Sequence, residues 1–218
     1  MKFPESLKLE KVRGFIITLY IVGIIGTALP LTRDFFIVLT PVILLLSSAL
    51  LLYFHTPVLN GKTSLVFLII FLASYFTEVA GVKTGQIFGT YSYGKALGLK
   101  LFDTPLLIGL NWILLVYCSA AIFEKVPVGN IGKAAGASLL MVLYDLVMEQ
   151  VAPYMDMWSF GAGTAPLRNY ISWFILALIF HLIVRFAGIR LTNRLAPFIF
   201  FCQFLFFIVL LIFFKITE

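Results

Sequence analysis

Three carboxylates stand inside otherwise apolar runs of this sequence: Glu78, Asp145 and Glu149. An ionisable group in a membrane-spanning segment is costly, so each is a functional candidate by default. Asp145 and Glu149 are four apart and project from one face of a helix. Polar residues in the apolar runs include Asn111 beside Trp112 and a lone His181. Carboxyls held close in an apolar pocket divide their roles, because desolvation and mutual repulsion keep one protonated while its neighbour stays ionised. The pair then supplies a proton donor together with a base or cation stabiliser. Aromatic faces stabilise a developing carbocation through the same quadrupole that attracts bound cations. Such a set suits protonation of an alkene in a hydrophobic substrate.

Blander readings compete with each of these. Glu78 can bond a backbone carbonyl or a nearby cation such as Lys83. Asp145 and Glu149 can form a polar clasp between helices, and His181 can be a satisfied core residue. Tyr91, Tyr93, Tyr154, Tyr170, Trp158 and Trp173 fall near span ends, where an interfacial aromatic belt is the default. Gly132 and Gly136 form a small-xxx-small pair that lets helices approach. Other chemistries find less support. No HExxH, Cys/His cluster, GxSxG elbow, Walker loop or dinucleotide fingerprint is present, so neither a metal nor a nucleotide cofactor is expected. Two histidines, His55 and His181, are too few for a multi-His di-iron site. The last apolar run has its single lysine, Lys215, at its end, which disfavours a retinal Schiff base.

Composition dictates the elements that must position these groups. Of 218 residues, 61% are hydrophobic and 12% charged, and the mean hydropathy is +1.06. A soluble domain is about 45–50% apolar and about 25% charged, so a water-soluble fold, disorder, a coiled coil and a nucleic-acid-binding domain are all excluded. An integral membrane protein is expected, with a single helical domain over 1–218. Seven runs are long enough to span: about 14–31, 35–54, 64–81, 105–123, 133–152, 170–187 and 196–214. They should be helices, since backbone polar groups in lipid must be satisfied internally, and no strand alternation suggests a barrel. The run after the polar MKFPESLKLEKVRG segment reads as a retained first span rather than a signal peptide. Cys118 and Cys202 lie in apolar runs and read as small buried hydrophobes. The net charge of +6 reflects basic loop residues that orient helices and meet anionic lipid. With a cytoplasmic N-terminus, inside segments hold ten Lys and Arg against six outside, favouring a multi-pass cell-membrane protein with its N-terminus in and C-terminus out.

Two connections are unusual, 81–105 and 152–169, both rich in Gly and aromatics. Alternating crossings put them on the same face, and loops of this kind tend to be lids or site walls. At 1.5 Å per residue, Glu149 lies roughly 5 Å, Asn111 roughly 9 Å and Asp145 roughly 10 Å below that face, with Glu78 shallower. Three carboxylates and an amide therefore share one leaflet beneath the loops.

The block Thr77-Glu78-Val79-Ala80-Gly81-Val82-Lys83-Thr84-Gly85, with Phe88-Gly89, Tyr91, Tyr93-Gly94, Leu97-Gly98, Pro105 and Gly109-x-Asn111-Trp112, resembles the membrane carotenoid-biosynthesis protein family. Asp145-Leu146-x-Met148-Glu149-x-Val151-Ala152, with Trp158 and Asn169-Tyr170-x-x-Trp173, is similar to a later motif of that family. Its members include carotenoid hydratases of the bisanhydrobacterioruberin and gamma-carotene types. The resemblance implies addition of water across the terminal 1,2 double bond of an acyclic carotenoid, giving a tertiary alcohol without a redox cofactor. An acid among Glu78, Asp145 and Glu149 would protonate the alkene. A second carboxylate, with Asn111, would hold and deprotonate the attacking water, and Asp156 is a weaker candidate. Tyr91, Tyr93, Trp112, Trp158, Asn169, Tyr170 and Trp173 would contact the substrate. The partners implied are the carotenoid, water, membrane lipid and other enzymes of the same pathway. A proton-initiated cyclase or isomerase, and a carotenoid- or lipid-binding or transport protein, remain alternatives.

Overall fold

A computed structural model of the chain describes residues 9–56 and 59–217. The polar segment 1–8, with Lys2 and Lys8 of the charge comparison, lies outside the described residues. The chain forms α1 (Leu9–Ala28), α2 (Arg33–Val38), α3 (Thr40–Tyr53), α4 (Gly61–Thr84), β1 (Tyr91–Tyr93), β2 (Lys100–Leu101), β3 (Thr104–Pro105), α5 (Leu107–Phe123), α6 (Asn130–Val151), β4 (Trp158–Phe160), α7 (Leu167–Phe186) and α8 (Ala196–Thr217). Five of these helices, α1, α4, α6, α7 and α8, are long and apolar enough to cross a membrane. Their outward faces are apolar at helical spacing, as with Leu65, Leu68, Leu72 and Phe76 on α4 and Ile171, Ile175 and Ile179 on α7. A protein facing water would put polar residues there. The molecule is a helical, multi-pass membrane protein.

The other two expected spans differ in form. The run 35–54 is broken into α2 and the 14-residue α3, with Pro41 in the first turn of α3. Pro41 has no N–H to give the carbonyl four residues back and its ring crowds that carbonyl, so a continuous helix cannot pass. Polar groups of the α1–α2 corner satisfy the end of α1: Thr32 Oγ1 donates to the Gly26 carbonyl at 2.8 Å, and Arg33 Nε to that of Thr27 at 3.0 Å. The run expected as the fourth span is α5, only 17 residues long, yet buried from Leu114 through Ala120. It is the central helix, packed by α4, α6, α7 and α8. His181 of α7 ties this core together. Its Nε2 pairs with Ser119 Oγ of α5 at 2.9 Å and its Nδ1 with the Ala177 carbonyl at 2.6 Å.

At one end of the bundle the two aromatic loops are joined. Strands β1 and β4 pair antiparallel, with Tyr91 opposite Phe160, Ser92 opposite Ser159 and Tyr93 opposite Trp158. The join continues past the ladder, where Gly94 N–H donates to the Met157 carbonyl at 2.9 Å and Ala96 N–H to that of Asp156 at 3.0 Å. Gly94 is pressed so closely on the Asp156 backbone that no side chain fits there. The exposed Asp156 accepts the Lys95 N–H at 3.0 Å and so fastens this junction rather than joining the carboxylates. β2 and β3 make a hairpin through Phe102 and Asp103, both at positive φ (53° and 62°), as a two-residue turn with right-handed strand twist demands. At the opposite end, Arg185 pairs with Glu124 and caps the Ala120 carbonyl of α5.

Candidate active site

Glu78 sits in the second-last turn of α4. One turn on, Gly81 lets the loop fold back, since a Cβ there would meet the Phe88 ring at 2.6 Å. That return carries β1 over the end of α4. Side chains alternate along a strand, so Tyr91 and Tyr93 point the same way, and both are buried while Ser92 is exposed. Their hydroxyls donate to Glu78 Oε2 at 2.6 and 2.8 Å. Burial first, and then the neighbouring Glu78 carboxylate, push both tyrosines above the ordinary phenol range, so they remain protonated donors. The other oxygen, Oε1, accepts from Trp112 Nε1 of α5 at 2.9 Å. Trp112 stacks on Trp173 of α7 with ring centroids 4.2 Å apart.

Glu149, near the end of α6, is held by the facing strand. Trp158 of β4 donates its Nε1–H to Glu149 Oε2 at 2.7 Å. Because Trp158 is the register partner of Tyr93, one cross-strand pair grips two carboxylates from different helices. Asn169, in the first turn of α7, donates through Nδ2 to Asp145 Oδ2 at 2.9 Å and to Glu149 Oε1 at 3.0 Å. Among the described residues Asp145 Oδ1 is buried with no hydrogen-bond partner. No cation pairs with any of the three among the described residues. Lys83 lies over the Phe102 ring instead, 5.1 Å from its centroid.

Glu78, Glu149 and Asn169 face one small cavity of about 20 Å³, walled by Tyr91, Tyr93, Trp158, Trp173, Phe88, Phe160 and Ile108. A space of this size holds one water molecule, and its polar walls offer that water several partners. Asp145 does not line the cavity and reaches it through Asn169. The structure therefore gathers Glu78, Asp145, Glu149, Tyr91, Tyr93, Trp112, Trp158, Asn169 and Trp173. Asn111 is not among them: it is buried on α5 but lies off the cavity and bonds to none of the carboxylates. Tyr170 is half-buried and also off the cavity. The sequence reading missed the apolar walls Phe88, Ile108 and Phe160. Phe160 carried a usable signal, standing two residues after Trp158 and thus on the same face of a strand.

A family model for carotenoid biosynthesis proteins matches residues 39–217, which include every residue of this cluster. Among curated proteins, a bisanhydrobacterioruberin hydratase of Haloarcula japonica is 28% identical over 155 residues, covering 65% of this chain and 53% of that one. The chain thus spans about half the length of that relative. No solved structure matches it.

Proposed function

The chain belongs to the carotenoid biosynthesis protein family, and on that premise we propose that it is a carotenoid hydratase acting on the terminal 1,2 double bond of an acyclic end group. One observation carries this reading: carboxylates from two helices, Glu78 and Glu149, face a cavity sized for a single water. A cyclase or isomerase passing through the same cation has no use for that water.

The hydrogen bonds suggest how the roles divide. Glu78 accepts from three donors, which suits an ionised carboxylate, an acceptor only. Asp145 and Glu149 share the amide of one asparagine, and two carboxyls so placed hold a proton between them. Glu149, the member at the cavity, delivers that proton to C2 of the alkene and leaves a tertiary cation at C1. The faces of Trp158, Trp173 and the two tyrosines stabilise this charge. Water attacks C1 and gives its proton to Glu78. Return of that proton across the cavity to Glu149 restores the starting state, and the net change is addition of one water. A cavity of about 20 Å³ cannot admit an end group, so the paired loops must part for the substrate to reach it.

Expression in a lycopene-producing host, with pigment extraction and mass spectrometry, tests the reading. A product heavier by one water is expected. An isomer of equal mass would favour the cyclase, and unchanged pigment would favour a binding or transport protein.

A further inference from the structure

A second cavity lies away from the carboxylates, in a slot between α1, α2, α3 and α8 with a volume of about 300 Å³. Its lining on α1 runs from Phe15 to Thr27, a length of about 18 Å at 1.5 Å per residue. Phe15 and Val22 at its edge are about half exposed on the lipid-facing surface (51% and 48%), so the slot opens sideways to the bilayer. Long, narrow and apolar, it fits an extended hydrocarbon chain entering from lipid.

Two lining residues do not fit a plain hydrocarbon. Gln203 and Tyr20 are each 7% exposed; among the described residues Gln203 Oε1 has no hydrogen-bond partner, and the Tyr20 hydroxyl has only the poorly aligned Ser47 hydroxyl near it. Buried polar atoms are nearly always paired, and an orphan costs about 1–3 kcal/mol. An alkyl chain would leave Gln203 Oε1 orphaned and give Tyr20 nothing better than Ser47. A hydroxyl in the slot has the chemistry for both, donating to the amide oxygen and accepting from the phenol. Next to the slot, Tyr144 packs against the lining residue Phe207 with centroids 5.7 Å apart, and it precedes Asp145 in the chain.

We propose that this slot binds a linear isoprenoid alcohol, its chain along α1 and its hydroxyl between Tyr20 and Gln203. The hydroxyl is assigned from these two groups alone, and first from the orphaned amide oxygen of Gln203. The isoprenoid chain rests on the reading of the protein as a carotenoid-modifying enzyme, and on the hydratase reading the site holds a hydroxylated end.

The test is equilibrium binding to the full chain in lipid nanodiscs with three radiolabelled C15 probes: nerolidol (a tertiary isoprenoid alcohol), farnesene (its hydrocarbon counterpart) and pentadecanol. Nerolidol should bind about tenfold more tightly than farnesene, the equivalent of one net hydrogen bond, and at least threefold more tightly than pentadecanol. Gln203→Leu and Tyr20→Phe, each checked for an unchanged melting temperature, should bring nerolidol to the farnesene level. A preference for nerolidol over farnesene below threefold, or one that survives in whichever variant folds, overturns the site. Equal binding of pentadecanol overturns the isoprenoid assignment. Glu78→Gln should bind all three probes as the native chain does. Failure of the hydratase reading would show as absent water addition with the probe preference intact.

Discussion

At the residue scale, each carboxylate is defined by its donors. Glu78 takes three, two from a strand and one from a central tryptophan, whereas Asp145 and Glu149 divide one amide. Glu78→Gln and Glu149→Gln each remove a group at the cavity, so the yield of hydrated pigment should fall at least about 100-fold, the usual scale for loss of a general acid or base. Asp145→Asn should cost less, because Asp145 acts through Asn169 and not on the substrate. Pigment yield normalised to membrane-extracted protein reads these differences, and an Asp145→Asn loss exceeding both others would reverse the assignment. The carboxylates were legible in the sequence because ionisable groups in apolar runs are rare and costly. The amide was not. Counting residues from a span end gives depth, and Asn111 has the right depth, but it says nothing about direction around the helix axis. Asn169 stands at the start of a helix, where a polar residue is unremarkable, and yet it joins the two carboxyls.

At the scale of elements, the β1–β4 ladder decides the geometry. Its strands are three residues long and 67 positions apart, and no local pattern in such short segments announces a pairing. Composition showed two unusual loops on one face; their register, with Tyr93 opposite Trp158, exists only in three dimensions. The break at Pro41 was hidden for a related reason, since apolar residues continue through it and hydropathy does not register a kink. The ladder leads to a prediction remote from the carboxylates. Gly94 abuts the Asp156 backbone, which cannot move aside as a flexible side chain would. Gly94→Ala should push the loops apart, costing about 1–3 kcal/mol as overpacking does and lowering activity more than expression. Thermal unfolding in detergent beside pigment yield checks this. A stable, fully active Gly94→Ala would mean that the loop junction does not set the carboxylate spacing.

For the whole molecule, apolar outward faces place the bundle in lipid, and the loop pairing puts the cavity at one end. The ion pair of Arg185 with Glu124 marks the other end. On the seven-span reading the basic residues divide ten against six, and the expectation from that bias is a cavity end facing outside. The paired loops impose a stricter requirement, because whichever side one occupies the other must share. Single cysteines at the exposed positions Lys95 and Thr164 report the two loops, and one at the exposed Arg190 reports the opposite end. Cys202 is only partly buried and is replaced by alanine to remove background. With a membrane-impermeant maleimide on intact cells, the Lys95→Cys and Thr164→Cys variants should both label, and Arg190→Cys only after permeabilisation. The inverse pattern would turn the protein over in the membrane and leave the cavity intact. Labelling of the two loop positions from opposite sides would separate β1 from β4, and Glu78 and Glu149 would then share no water.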